Sequence, residues 1–309
     1  MKNLGICVIL NVGSGKPDTK SQPESIRAAF ALHGAEITLK VITKGSRLIA
    51  ETKKANTQGY HAIVAAGGDG TICAVAEVLS GSDTLMGILP LGTFNYFARS
   101  LNLPTDIAEA AKVIVDGHSV PLRIGKVNES MFLNNASLGA YPAILEARED
   151  IYRRWGRSQI AAYWAVIKTL VTVRRPLQLR LTVDGESRDI RSPLVFIVNN
   201  AYQLEQMKLE GADQIKAGKM ALFIAPDTSR FGMVRHAVAV ALGRAASERN
   251  FELLSGKEID IESTDRPIRS KRTIAKDGER ERLHGPFQFR IVEDALRVLV
   301  PAERTTEVR

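Results

Sequence analysis

From Leu4 to about Pro121 the chain alternates short, continuously apolar runs with amphipathic ones, and no other feature restricts the fold as much. The runs Leu4–Asn11, Ala35–Thr43, His61–Ala66 and Leu85–Pro90 read as strands, whereas Glu24–His33, Ser46–Asn56, Thr71–Leu79 and Ile107–Asp116 carry helical patterning. A strand with no polar alternation has both faces covered, and strands joined through helices run parallel. The pattern therefore predicts an α/β unit: a parallel sheet with helices on both faces. Ligands of such sheets sit beyond the carboxyl ends of the strands. Three segments leave strands at that edge: Asn11–Lys16 (NVGSGK), the glycine turn of Ala65–Thr71 (AAGGDGT) and Pro90–Asn95 (PLGTFN).

The central segment carries the clearest chemistry. Gly67, Gly68 and Gly70 let backbone N–H groups approach polyphosphate oxygens with no Cβ in the way, and the helix predicted from Thr71 adds the positive end of its dipole. Asp69 places a single carboxylate in the same turn. A glycine turn between strand and helix can also be only a tight connection, so the motif gains meaning from Asp69, Thr71 and its setting.

Beyond Pro121 the texture changes to short runs rich in β-formers: Leu122–Val127, Met131–Ala136, Leu177–Val183, Pro193–Asn199, Lys219–Ile224, Phe251–Glu262, Arg266–Asp277, Phe287–Val292 and Ala295–Leu299. Asp184-Gly185 and Asp277-Gly278 read as hairpin turns. This half is predicted to be an antiparallel β-sandwich interrupted by helices near Ile144–Val173 and Phe231–Arg244. At 309 residues there is chain enough for two such domains, each with a core.

Composition narrows the class of partner. A formal net charge of +8 favours an anionic one, be it nucleotide, nucleic acid or acidic membrane. Nucleic acid ranks last because no recognition helix or stacking motif accompanies the basic residues. Cys7 and Cys73 make neither a metal-ligand spacing nor a disulfide framework and read as packed apolar residues. The five histidines are scattered, which argues against zinc chemistry. The apolar start reads as a first strand, and the longest apolar stretch, Ile160–Val173, is interrupted by Lys168 and falls short of the roughly 20 residues of a membrane span. A cytoplasmic protein is expected.

AGGDGT followed by PLGTFNYFAR at Pro90–Arg99 resembles the diacylglycerol kinase catalytic domain family, which includes sphingosine and ceramide kinases and bacterial lipid kinases. NVGSGK, NNASLG at Asn134–Gly139 and KDGE at Lys276–Glu279 extend the likeness over nearly the whole chain. It implies a nucleotide domain over residues 1–121, joined by a returning segment from about 293, and a sandwich domain over 122–292, with the active site in the cleft between them. It implies ATP and magnesium as cofactors. Nucleotide contacts then fall to Thr43, Gly67, Gly68, Asp69, Gly70, Thr71 and Thr93, with Asn11 and Asn95 as further candidates, and Asp69 is the carboxylate beside the metal. Asp277 becomes the candidate general base and Glu279 its alternate or orienting partner. The same positions have plainer readings: Asp277-Gly278 as a turn, Asn95 as the cap of a helix over Tyr96–Leu101, and Ser14 and Lys16 as solvated loop residues.

Two departures stand out. Where relatives carry an acidic residue before a glycine in a DDG-like turn, the stretch Gln214–Met220 has Ala217 before Gly218, so the auxiliary magnesium site of the family is expected to be absent or replaced, Lys219 being a candidate substitute. Tyr96 stands where many members have Asp. The partners implied are ATP and a lipid acceptor at the membrane surface, with peripheral association with an anionic bilayer; a homodimer stays open. The segment Tyr152–Trp164, with its arginines among Trp and Tyr, suits a headgroup region or equally a packed cleft. The expected activity is transfer of the γ-phosphate of ATP to a lipid hydroxyl. The alternatives are an NAD kinase, which shares GGDGT, and a nucleotide- or lipid-binding regulator without turnover.

Overall fold

In the computed structural model, residues 5–12, 21–139, 176–227, 251–265, 267 and 270–303 are described. The helices expected near Ile144–Val173 and Phe231–Arg244, the segment Tyr152–Trp164, and Ser14 and Lys16 lie outside them. The chain divides into two compact units, Met1–Ile124 with Val292–Arg309, and Gly125–Ile291.

The first unit runs β1 (Ile6–Asn11), α1 (Gln22–Leu32), β2 (Ile37–Ile42), a 3-10 turn (Gly45–Arg47), α2 (Leu48–Thr57), β3 (Ala62–Gly67), α3 (Asp69–Leu79), β4 (Leu85–Pro90), α4 (Tyr96–Ser100) and α5 (Ile107–Asp116). The sheet order is β2-β1-β3-β4, all parallel, and the last strand of the chain adds Val298 opposite Met86 of β4. Side chains alternate across it. Val8, Leu10, Val64, Ala66 and Leu89 cluster with Ile26 and Phe30 of α1 and with Ala110 and Ile114 of α5. Cys7, Ile9, Ile63 and Ala65, on the other face of the same strands, are equally buried, and α2 and α3 pack over that side. Local sequence sets the ends of α5: the Asp106 carboxylate accepts from Ala108 N and Glu109 N at 2.9 and 3.0 Å, and Gly117 closes the helix at φ 76°.

The second unit contains β5 (Ser119–Val127, which begins in the first), β6 (Ser130–Phe132), β7 (Asn135–Gly139), β8 (Leu177–Val183), β9 (Glu186–Ser192), β10 (Leu194–Val198), α6 (Ala201–Gln206), α7 (Ala212–Lys216), β11 (Met220–Ile224), β12 (Glu252–Gly256), β13 (Glu258–Ser263), β14 (Lys271–Lys276), β15 (Glu279–His284) and the first part of β16 (Phe287–Leu299). One antiparallel sheet has the order β12-β11-β10-β7-β14-β15 and the other pairs β16-β13-β8-β9. Leu179, Leu181, Ile259, Ile261, Phe287 and Phe289 of the second meet Leu138, Val195, Ile197, Leu222 and Ile274 of the first. Phe132 and Phe289 pack edge to face with centroids 6.2 Å apart, and the Phe132 ring occupies the space a Cβ on Gly125 would need. An N-terminal parallel α/β sheet and a C-terminal antiparallel sandwich are the fold class read from the sequence.

Several boundaries differ for physical reasons. The run Phe251–Glu262 is two strands, because Asp184 Oδ1 accepts from Lys257 N and Glu258 N, both at 2.9 Å, and turns the chain from one sheet to the other at Lys257. Met131–Ala136 is broken where the Asp277 carboxylate captures the Leu133 and Asn134 amides that a ladder would use. Phe287–Val292 and Ala295–Leu299 are one strand, continuous through Glu293 and Asp294. The polar strands β9 and β15 have no apolar pattern and are held by pairing with β8 and β14.

Phe289→Ala is expected to cost about 3–5 kcal/mol, measured by urea unfolding, since it empties the centre of the sandwich. A second expectation concerns pH. Burial pushes the Cys7 thiol from 9.0 up to about 11, with the Lys40 ammonium opposing it. The unfolded chain therefore releases this proton at a lower pH than the folded one, and the stability held below pH 9 is lost as pH rises toward 11. Across that interval the wild type should lose about 2–3 kcal/mol more than Cys7→Ala.

Candidate active site

The glycine turn folds more tightly than its sequence suggested. Gly67 is the last residue of β3, Gly68 is the N-cap at φ −88° and ψ −175°, and α3 starts at Asp69 rather than Thr71. Asp69 and Gly70 thus sit in the first helical turn, where amides point out of the helix end. None of the three glycines has positive φ; at Gly67 and Gly68, close packing is the reason for glycine. A Cβ on Gly67 would lie 2.5 Å from Thr71 Oγ1, and one on Gly68 would lie 3.3 Å from Gly92 Cα.

Gly92, which sequence reasoning did not single out, is the counterpart. A Cβ there would come 2.5 Å from Gly68 Cα and 2.6 Å from Asn95 Oδ1, so the β3 and β4 loops touch backbone to backbone. Leu91 N donates to Gly67 O at 2.9 Å beside this contact. Asn95 holds the second loop from within: it is buried, adopts φ 51°, accepts from Gly92 N at 3.1 Å, and donates through Nδ2 to Pro90 O at 3.1 Å and Gly92 O at 3.0 Å. The side-chain cap that one of the two readings of Asn95 offered to α4 is not formed, and the Asn95 amide braces the loop instead. Asp69 Oδ1 accepts from Phe97 N at 3.3 Å, tying the first turn of α3 to that of α4.

The remaining nucleotide candidates share this edge of the sheet. Asn11 ends β1 and donates from Nδ2 to Thr71 Oγ1 at 3.0 Å. Thr43 follows the end of β2, exposed, and Thr93 is exposed in the β4 loop. Parallel register puts Asn11 beside Ile42 and Gly67 beside Pro90, which is why positions distant in sequence line one rim.

In the second unit, Asp277 and Gly278 form the β14–β15 hairpin turn at φ 48° and 86°. The Asp277 carboxylate also accepts three backbone N–H bonds: from Leu133 at 2.7 Å through Oδ2, and from Asn134 at 2.7 Å and Asn135 at 3.1 Å through Oδ1. Those donors engage three of the roughly four acceptor positions of a carboxylate and fix its direction. Glu279 opens β15, exposed. Beside the turn lies a buried amide cluster that the sequence did not reveal: Asn135 Nδ2 donates to Gln203 Oε1 at 2.9 Å and Asn200 Nδ2 to Asn134 Oδ1 at 2.7 Å. Among the described residues the buried Asn135 Oδ1 and Ser137 Oγ have no hydrogen-bond partner. Ala217 and Gly218 form the turn between α7 and β11, with Gly218 at φ 85°.

The first-unit rim fits a polyphosphate: first-turn amides of α3, glycine backbone where a Cβ would intrude, and the Thr71 hydroxyl. Among the described residues no group of three His, Cys, Asp or Glu could hold a metal ion by itself. The lone Asp69 carboxylate suits magnesium that arrives with phosphate ligands, since that ion commonly takes one or two protein carboxylates alongside substrate phosphates. No helix among the described residues is long and apolar enough to cross a membrane. Gly92→Ala should force the two loops apart and cost about 1–3 kcal/mol in urea unfolding, because the atom it meets is backbone that cannot rotate away.

Comparison with known proteins finds a match in each half of the chain. Residues 5–127 match the diacylglycerol kinase catalytic domain, and residues 140–300 match the YegS C-terminal NAD kinase beta sandwich-like domain. A diacylglycerol kinase of Bacillus subtilis is 26% identical over 308 residues, 97% of this chain and 98% of its own length. One of Staphylococcus carnosus is 36% identical over 134 residues, covering 43% of this chain and 44% of that protein, so the match spans less than half of the staphylococcal relative. A solved structure of a putative diacylglycerol kinase from Bacillus anthracis has the same fold, with a TM-score of 0.71 and 20% identity over 98% of this chain and 99% of its own. With a kinase catalytic domain carrying the glycine rim and a matching sandwich behind it in the chain, the protein belongs to the diacylglycerol kinase family, a family of phosphotransferases with an alcohol acceptor.

Proposed function

We propose that this chain is an ATP-dependent lipid kinase that transfers the γ-phosphate to a lipid hydroxyl, with diacylglycerol or a related lipid as acceptor. The observation that carries the reading is the rim around Gly67, Gly68, Asp69, Gly70 and Thr71, braced by Gly92 and Asn95. Phosphoryl transfer is catalysed mainly by positioning and charge stabilisation, and this rim supplies amide donors and a hydroxyl around one carboxylate. Thr43 and Thr93 extend it to the rest of the nucleotide. Magnesium held by Asp69 and the phosphates would neutralise the charge on the transferring group.

Asp277 is the proposed base for the acceptor hydroxyl, aimed by its three amide donors, with Glu279 as its neighbour. Asn135 Oδ1 and Ser137 Oγ, without a hydrogen-bond partner among the described residues and two residues apart, so on one face of β7, would supply acceptors for a hydroxyl-bearing substrate. The net charge of +8 supports action at the surface of an anionic bilayer from the cytoplasm. An NAD kinase reading remains because residues 140–300 match a sandwich described as NAD kinase-like.

Radiolabelled phosphate transfer from ATP to a panel of lipids, with NAD as a parallel acceptor, separates these readings. Label in a lipid is expected, and label in NADP instead would replace the proposal. Asp277→Asn should lower kcat by about 100- to 10,000-fold, and Asp69→Ala should lower kcat/KM by at least about 100-fold. Full activity in both variants would overturn the assigned roles.

A further inference from the structure

Thr71 is 2% exposed, the third residue of α3, and its hydroxyl oxygen lies against the backbone of Gly67. A threonine hydroxyl offers one hydrogen and two lone pairs. Asn11 Nδ2 takes one lone pair at 3.0 Å, and among the described residues no acceptor receives the hydrogen. Left to itself, a threonine in a helix rotates to donate to a carbonyl one turn back, which turns its lone pairs outward. Those lone pairs would face a phosphate oxygen and repel it.

We infer that Asn11 is a positioning residue that sets the polarity of the Thr71 hydroxyl. By donating to the oxygen it holds Thr71 Oγ1 as an acceptor toward β1 and leaves the O–H to donate toward the N-terminal turn of α3. There the hydrogen serves an anionic phosphoryl oxygen alongside the helix amides. Asn11 itself touches Thr71 across 60 residues of sequence, and its effect on the nucleotide passes through that hydroxyl. Asp at position 11 has the same shape but accepts: it would draw the Thr71 hydrogen toward β1 and reverse the dipole presented to phosphate. The inference rests on the reading of this rim as the ATP site.

The test is a double-mutant cycle read by calorimetric ATP binding without lipid and by steady-state kinetics, with thermal melts to establish folding. Asn11→Asp should weaken ATP binding and raise its KM roughly 10- to 100-fold, the size of a lost charge-assisted hydrogen bond, with kcat changed far less. Asn11→Ala, which neither donates nor reverses, should fall between it and the wild type. In a Thr71→Val background, where the hydroxyl is gone, Asn11→Asp should add no more than about a twofold loss. An equal loss in both backgrounds would mean that charge repulsion or direct nucleotide contact is the cause, and would overturn the inference while leaving the kinase reading intact. Unchanged ATP affinity in Asn11→Asp would overturn it likewise. A folded wild type that binds no ATP would overturn the kinase reading and this assignment together. If Asn11→Asp does not fold, Asn11→Ala carries the same cycle, with additive losses as the overturning result.

Discussion

The backbone contact of Gly68 with Gly92 is the constraint on which the glycine rim depends. It allows the loops after β3 and β4 to lie side by side, and the ties between those two loops accompany that proximity. Leu91 N reaches Gly67 O, the Asn95 amide closes its own loop by three hydrogen bonds, and Phe97 N reaches the Asp69 carboxylate. A side chain on Gly92 would force the loops apart, whereas one on Gly68 would press on Gly92 Cα at 3.3 Å. Asp69 and Asn95 are tied to backbone, the arrangement that electrostatic stabilisation without reorganisation would need.

The second unit uses a related device with a carboxylate. Asp277 sits in a left-handed turn position that an Asp tolerates, and its side chain holds the start of β7 through three amides. One residue therefore fixes the hairpin, ends β6 and orients itself. The two readings open at the sequence level, turn residue and chemical residue, do not compete, because the turn geometry is what aims the carboxylate.

The legible parts of the fold were those where burial dictates residue type. β1, β3 and β4 carry apolar side chains on both faces because helices cover both, so their runs stand out. β9 (ESRDIRS) and β15 (ERERLH) do not, since a mostly exposed edge strand needs only backbone pairing. The break of the Phe251–Glu262 run at Lys257 was invisible for another reason: its cause, the Asp184 carboxylate, lies in a different hairpin. Gly92 and the amide cluster of Asn134, Asn135, Asn200 and Gln203 escaped similarly, because neither residue type announces a contact with a distant partner.

By itself the sequence determined the alternation that makes the parallel sheet, the sandwich that follows it, the glycine turn and its kinship with the diacylglycerol kinase family. These depend on local patterning, on the periodic placement of apolar residues and on contiguous motifs. Only the tertiary structure decided that α3 begins at Asp69, that Asn95 braces its own loop rather than capping a helix, that Gly92 meets Gly68, and that Asn11 grips the Thr71 hydroxyl. Each of those outcomes turns on the direction of one hydrogen bond or the absence of one Cβ, set by which strand ends the parallel register brings to the same rim.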